Sequence, residues 1–251
     1  VTVGRLEKMS KSKKNVIDPD VIIKNYGADA LRLFIVSDTP PERDFPWSDE
    51  GLDGSWRFIN RIWRMLAFFQ QKGVHADQIK ELDFNTLSDE MKNLFKALHK
   101  TIKEVSNALE SRAMNKAIAF IREFVNVIYE VLEKVEENKL IFSIVARDLI
   151  RLLAPISPHM CEEAWTMLGF KDLVSQSGWP EYSEQYVSTD VVNLPVQVNG
   201  KLRGTIEVLP TMSEEDVVVM ALNLNSVIKA MGDNDIKKQI YVKGKVLNFV
   251  V

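Results

Sequence analysis

A chain of 251 residues, 46% hydrophobic and 27% charged, is long enough to bury a real core and to form one large domain or two to three small ones. Its apolar runs are short and broken by charge, so none reaches the roughly 20 residues of a membrane span, and no membrane helix is expected. A formal net charge of -3 excludes a protein that coats nucleic acid through global positive charge and leaves any RNA contact local.

The chain opens on Val1-Thr2-Val3-Gly4-Arg5, with neither an initiator Met nor the basic-then-apolar order of a signal peptide, and is expected to begin inside a longer protein. Lys8, Lys11, Lys13 and Lys14 then interleave with Ser10 and Ser12. The small hydroxyl side chains let backbone N–H groups approach an anion, and lysine is a compact charge on a flexible stem, suited to following a moving phosphate. Composition alone favours a solvated loop; it is the order of the residues that points to phosphate.

Asp18 is placed to cap a helix with Pro19 in its first turn, running to Tyr26. Gly27 fits a left-handed helix stop, and Ala28–Ser37 reads as helical up to Thr39-Pro40-Pro41. From Trp47 the period predicts long helices over roughly Ser48–Gln71, Leu87–Glu110, Met114–Glu137 and Phe142–Leu168, the last kinked or split at Pro155 and Pro158. In the first of these, Leu52, Trp56, Ile59, Trp63 and Leu66 are predicted to share the core face, with Arg57, Arg61 and Arg64 in a stripe opposite. Trp165 is expected in the core as well, and His159 and Cys161 read as structural. Gly178-Trp179-Pro180 and the polar stretch to about Thr189 read as a linker.

Beyond it the period falls to two. Leu194–Val198 and Leu202–Val208 flank Asn199-Gly200, a strong hairpin signal. Ser213 is expected to cap a helix of about 17 residues with acidic residues in its first turn. Ile236–Val242 and Val246–Val250 make a second hairpin, for a β-β-α-β-β order. A single cysteine and three scattered histidines provide neither a disulfide framework nor zinc-ligand spacing, so no metal is expected here and a reducing, cytoplasmic setting fits.

Lys8-Met9-Ser10-Lys11-Ser12, continued by Lys13-Lys14-Asn15-Val16-Ile17-Asp18-Pro19, resembles the KMSKS signature of class I aminoacyl-tRNA synthetases. Isoleucyl- and valyl-type enzymes typically continue that signature with Leu-Gly-Asn; Lys13-Lys14-Asn15 looks like the leucyl type. Pro40-Pro41-Glu42-Arg43-Asp44-Phe45-Pro46-Trp47-Ser48-Asp49, with Gly51, Gly54 and Arg57-Phe58-Ile59-Asn60-Arg61-Ile62-Trp63-Arg64, is closely similar to the junction and first bundle helix of bacterial leucyl-tRNA synthetases. Ala154-Pro155-Ile156-Ser157-Pro158-His159 recurs across the class, and Val196–Gly204 and Val246–Val251 resemble the leucyl family's compact terminal domain. Phe45-Pro46 and Leu209-Pro210 are small departures.

The resemblance covers essentially the whole chain and implies a mostly α fold: a KMSKS loop and catalytic-domain junction over 1–46, an anticodon-binding-type helix bundle over 47–188, and a small α+β tRNA-binding C-terminal domain over 189–251. It implies part of an ATP-dependent ligase that joins leucine to leucine tRNA, cytoplasmic and monomeric when intact. Lys8 and Lys11 are then the catalytic candidates. Lys8, Met9, Ser10, Lys11 and Ser12 are the ATP contacts, Met9 serving as an apolar anchor, with Mg2+ arriving on the nucleotide. In that family the loop closes over ATP as the amino-acid carboxylate attacks the α-phosphorus, and it stabilises charge on the departing pyrophosphate.

Arg57, Arg61, Arg64, Lys201, Arg203 and Lys237 are the candidate tRNA contacts, through backbone and shape. The competing readings are a solvated or Asp53-paired arginine stripe and ordinary solubility charges on hairpins. No two histidines are spaced for the class I His-x-Gly-His element. The catalytic and editing domains are therefore expected upstream, and the chain alone is expected to be inactive. Two alternatives stay open: the corresponding part of an isoleucyl or valyl enzyme, and a stand-alone tRNA-binding module.

Overall fold

The structure, a computed structural model, describes residues 7–40, 42–187, 192–209, 212–232, 234 and 236–251. The opening Val1–Arg5 segment, Pro41, the end of the expected linker at Thr189, and Pro210 lie outside the described residues. The chain divides into two compact units, with the second opening at Ser183 where the sequence placed a boundary at 189. The junction segment and the helix bundle, expected as separate regions, belong to the same first unit.

In that unit, α1 (Pro19–Tyr26) starts on the Asp18 carboxylate, which accepts from the Asp20 N–H at 3.0 Å. It stops at Gly27, whose φ of +84° is positive as expected but whose ψ is 154°, a region essentially reserved for glycine. The backbone extends there because the same residue begins α2 (Ala28–Ser37). Ala30, Leu33 and Phe34 bury α2 in the bundle, where it packs on α1, α3 (Asp49–Gln71), α5 (Met114–Glu130) and α7 (Pro158–Met167).

The buried stripe of α3 is Leu52, Ser55, Phe58, Ile62, Met65, Leu66 and Phe69, which rotates the core face away from the tryptophans predicted to carry it. Trp56 is 42% exposed, edge-on to Tyr26 at 6.5 Å, and Ile59 and Trp63 are half-buried. Ser55 is accommodated on this face by a local bond. Its hydroxyl donates to the Gly51 carbonyl at 3.1 Å, so this polar side chain enters the core without an unmet hydrogen bond. Trp165 is buried as expected, and its Nε1 donates to the Lys171 carbonyl at 3.1 Å.

α4 is Asp89–Glu110. The helix predicted to run to Glu137 ends at Val131, with φ -119° and ψ 16°, and continues as a short 3-10 turn, Leu132–Lys134. α6 (Lys139–Leu153) and α7 are separated at residues 154–157, the split predicted from Pro155 and Pro158. α6 is buried around most of its circumference. Its one buried carboxylate, Asp148, takes both Arg147 (2.8 and 2.9 Å) and Arg151 (3.3 Å), which offsets the desolvation of the charge.

The α6–α7 turn is gripped by α2 from both sides. Arg32 donates from Nε to the Ile156 carbonyl and from Nη2 to the Pro155 carbonyl, each at 2.9 Å. Asp29, 7% exposed, accepts from the Met160 N–H at 2.7 Å, from His159 Nδ1 at 2.8 Å and from the His159 N–H at 3.4 Å. Ser157, the residue preceding α7, makes no capping bond of its own; Asp29 supplies that cap from 131 residues away. His159 is therefore a surface partner of Asp29 rather than a packing residue, its side chain 74% exposed. Cys161 is fully buried, and burial pushes its thiol well up from the ordinary range.

The second unit contains a short helical turn, α8 (Glu184–Val187), and a four-stranded sheet of β1 (Val192–Val198), β2 (Lys201–Val208), β3 (Lys238–Val242) and β4 (Val246–Val250) in the order β2-β1-β4-β3. Both hairpins are antiparallel and the central β1–β4 pair is parallel. Asn199 and Gly200 both have positive φ, 53° and 76°, as a two-residue primed turn requires. Leu194, Val196, Leu247 and Phe249 are fully buried beneath the helices.

The helix predicted from Ser213 forms as two, α9 (Glu214–Leu222) and α10 (Asn225–Met231), giving β-β-α-α-β-β. The break carries Leu224 in extended conformation, and a Cβ on Gly204 of β2 would lie 2.8 Å from its Cδ1. Helix and strand close together at that point because Gly204 has no side chain.

Candidate functional site

Ser10 is extended (φ -153°, ψ 150°) and starts a 3-10 turn, Lys11–Lys13, which Lys14 ends in left-handed conformation (φ 51°). Asn15 closes the loop from within. Its Oδ1 accepts from the Ser10 N–H at 2.9 Å and its Nδ2 donates to the Lys8 carbonyl at 3.4 Å. The Ser10 and Ser12 hydroxyls lie 3.2 Å apart. One amide side chain thus holds both ends of the segment carrying the lysines, a role the sequence reading did not single out.

Of the four ammonium groups, Lys13 pairs with Glu7 at 3.1 Å, both exposed. Lys8, Lys11 and Lys14 are exposed and form no ion pair among the described residues. The geometry leaves a flexible cationic fork on a constrained backbone, fit to receive a polyanion. Met9, expected as an apolar anchor, is 41% exposed, so nothing among the described residues buries it.

The arginine stripe of α3 divides. Arg57 and Arg64 are exposed, with no hydrogen bond or ion pair among the described residues. Arg61 is held across the seam to α5. Its guanidinium stacks 4.2 Å from the Tyr129 ring centroid and Nη1 donates to Asn126 Oδ1 at 2.9 Å, while the Tyr129 hydroxyl donates to the Arg61 carbonyl at 3.0 Å. The neighbouring Asp53 carboxylate raises the Tyr26 phenol from its ordinary range. The α5 residue Arg122, which sequence reasoning missed, stacks reciprocally 4.4 Å over Phe58 of α3.

In the second unit, Lys201 and Arg203 lie on the edge strand β2 and Lys237 immediately precedes the opposite edge, β3. The register brings them to one end of the sheet: Lys201 pairs with Val198, and the Lys237 N–H donates to the Val250 carbonyl at 2.8 Å. Arg203 is the extra residue of a bulge between Val196 and Gln197, which turns it out of the ladder. Lys243 and Lys245 sit at the far end, around the β3–β4 turn, apart from these three.

Against known proteins, residues 91–219 match the family model described as "Anticodon-binding domain of tRNA ligase", and residues 2–48 match "tRNA synthetases class I (I, L, M and V)". The chain is 42% identical over 246 residues to a leucine–tRNA ligase of Geobacter sp. (strain M21), covering 97% of this chain and 30% of that protein. It is 40% identical over 250 residues to the leucine–tRNA ligase of Zymomonas mobilis, covering 100% and 27% respectively. Among solved structures, the crystal structure of the ternary LeuRS–tRNA–LeuAMS complex of Agrobacterium radiobacter K84 superposes with a TM-score of 0.77 at 32% identity, covering 97% of this chain and 30% of that one. The chain thus spans about a third or less of the length of the relatives it matches.

Proposed function

The chain belongs to the family of tRNA-ligase anticodon-binding domains, and from that premise we propose that it is the C-terminal portion of a leucine–tRNA ligase. In the intact protein it supplies the mobile lysine loop to an upstream catalytic domain and docks leucine tRNA. The observation that carries the reading is the loop itself: three exposed lysines free of ion pairs among the described residues, on a backbone fastened by Asn15.

On this reading, a carboxylate oxygen of leucine attacks the α-phosphorus of ATP, the bond to pyrophosphate breaks, and negative charge grows on the leaving group. Lys11, with Lys8, meets that charge; ammonium groups placed where charge develops favour the transition state over the ground state. Mg2+ accompanies the nucleotide, and no cluster among the described residues could hold a metal on its own. Val16, Val21 and Ile23, which follow the loop in sequence, and Ile35 of α2 are exposed apolar side chains that the upstream domain would cover. Val16, Val21 and Ile35 are about half exposed, at 50%, 53% and 49%. Met9 would be anchored there as well.

Removing Asn15 should loosen the loop without removing a charge. Asn15→Ala in the full-length protein is expected to lower leucine-dependent ATP–pyrophosphate exchange roughly tenfold, the equivalent of one to two lost hydrogen bonds. Unchanged exchange would mean that the fastening does not matter to the closed loop. The docking role is tested by filter binding of a leucine tRNA transcript to the 251-residue chain and to a truncation ending at Tyr182, the boundary of the first compact unit. The truncation should bind roughly tenfold or more weakly, since Lys201, Arg203 and Lys237 would each contribute a backbone contact. Equal binding would remove the second unit from the docking surface.

A further inference from the structure

The head of the α3–α5 seam contains a cleft of about 400 Å³, lined by Ser37, Asp38, Gly54, Ser55, Asn115 and Arg122 among others. Its volume falls within the roughly 300–1,000 Å³ range of small-ligand pockets. The two helices run alongside each other in the same direction, since Phe58 meets Arg122 and Arg61 meets Asn126 and Tyr129. They separate where the facing residues are small. A Cβ on Gly54 would meet nothing within 4 Å, so the glycine keeps space open instead of allowing close packing. Gly51, one turn earlier, is different: a Cβ there would lie 2.7 Å from the Phe34 ring.

Arg122 forms no hydrogen bond or ion pair among the described residues; its guanidinium carbon lies 4.4 Å over the Phe58 ring centroid, and the Asp38 carboxylate acts on it electrostatically. Its N–H groups are unbonded among the described residues and free to donate to an anion, and a guanidinium fork is matched to phosphate. Asp38, whose Oδ1 lies 3.1 Å from the Ser37 hydroxyl, and Asn115 also line the cleft, and their carboxylate and amide offer acceptors and a donor to a hydroxyl or amino group. Arg61, and the exposed Arg57, continue the basic track along the same seam.

We infer that this cleft receives one unstacked nucleotide of the bound RNA, its phosphate on Arg122 and its ribose or base edge on Asn115 and Asp38. The inference rests on the tRNA-docking reading above and gives the bundle a built pocket in place of a diffuse stripe. A cleft with a single stacked arginine at the head of an arginine track fits a nucleotide held within a strand better than a free anion, which has no use for the track.

Two variants test it in the 251-residue chain, with a leucine tRNA transcript as probe. Gly54→Gln fills the cleft from a helical position with room for a side chain, and gains helix propensity, so its melting temperature should be equal or higher. Arg122→Met keeps the contact with Phe58 and removes the charge. Each should weaken binding roughly tenfold, the scale of one stacked base or one specific contact. Arg122→Met should also reduce the salt slope of binding by about one phosphate contact, while Gly54→Gln leaves it unchanged.

If the parent chain binds and both variants bind within about twofold of it, the pocket is wrong and the docking reading stands. If only Arg122→Met binds more weakly, Arg122 is a surface phosphate contact and the pocket is again overturned. A parent chain that fails to bind leucine tRNA would overturn the docking reading, and the pocket with it.

Discussion

Replacing Lys11 by alanine in the full-length protein is expected to lower leucine-dependent ATP–pyrophosphate exchange by roughly 100- to 1,000-fold, the usual loss when one preorganised group facing a developing charge is removed. The expectation follows from where the charge is free. Lys11 is exposed and without an ion pair among the described residues, whereas Lys13 is spent on Glu7. Lys13→Ala should therefore cost less than about tenfold, the pair it breaks being an exposed one of small energetic value. The Lys11 side chain buries nothing, so the melting temperature should not move. Equal losses for the two lysines would mean that the loop acts through total charge rather than through a positioned group.

The second large effect is on stability. Asp29→Ala removes the carboxylate that caps α7 and leaves the buried Met160 N–H, and that of His159, without their acceptor. Loss of a cap and of hydrogen bonds to a charged group together should cost about 2–4 kcal/mol, read as a lowered urea midpoint for the first unit. Asp29→Asn, which retains one acceptor oxygen, should cost less. Because α7 carries Cys161, fully buried in the native protein, fraying of its first turn should also speed alkylation of that thiol. An alanine variant as stable as the parent would show that the α2 grip on the α6–α7 turn is incidental.

Much of this architecture could be read from local chemistry. Asp18, Gly27, Ser213 and the Asn199-Gly200 turn declare themselves because each meets a backbone demand within a few residues of itself. The split at Pro155 and Pro158 is equally local, since proline removes a donor and clashes with the preceding turn. The rest depends on partners that the sequence does not display, one helical turn away in one case and far along the chain in the other. The core face of α3 takes in Ser55, which looks polar in sequence but has its hydroxyl on the Gly51 carbonyl, and leaves Trp56 exposed and Trp63 half-buried. The α9–α10 break depends on Leu224 meeting Gly204, which only the fold brings together.

The candidate sites divide in the same way. The order of residues in the lysine loop named the segment, yet its fastening by Asn15 is a matter of three-dimensional geometry. Arg61 looked like its neighbours Arg57 and Arg64 on a helical projection, and only the approach of α5 separates it from them. Arg122 carried no signal in the sequence, because its partner Phe58 lies 64 positions earlier in the chain. Likewise, Asp29 reads as an ordinary first-turn acid until α7 is placed against it.

The most direct test of the central claim is ATP–pyrophosphate exchange by the full-length protein with leucine, isoleucine and valine in parallel. Exchange that depends on leucine, with isoleucine and valine weaker by two or more orders of magnitude, is the predicted result. Exchange driven by isoleucine or valine, or none with any of the three, would contradict it.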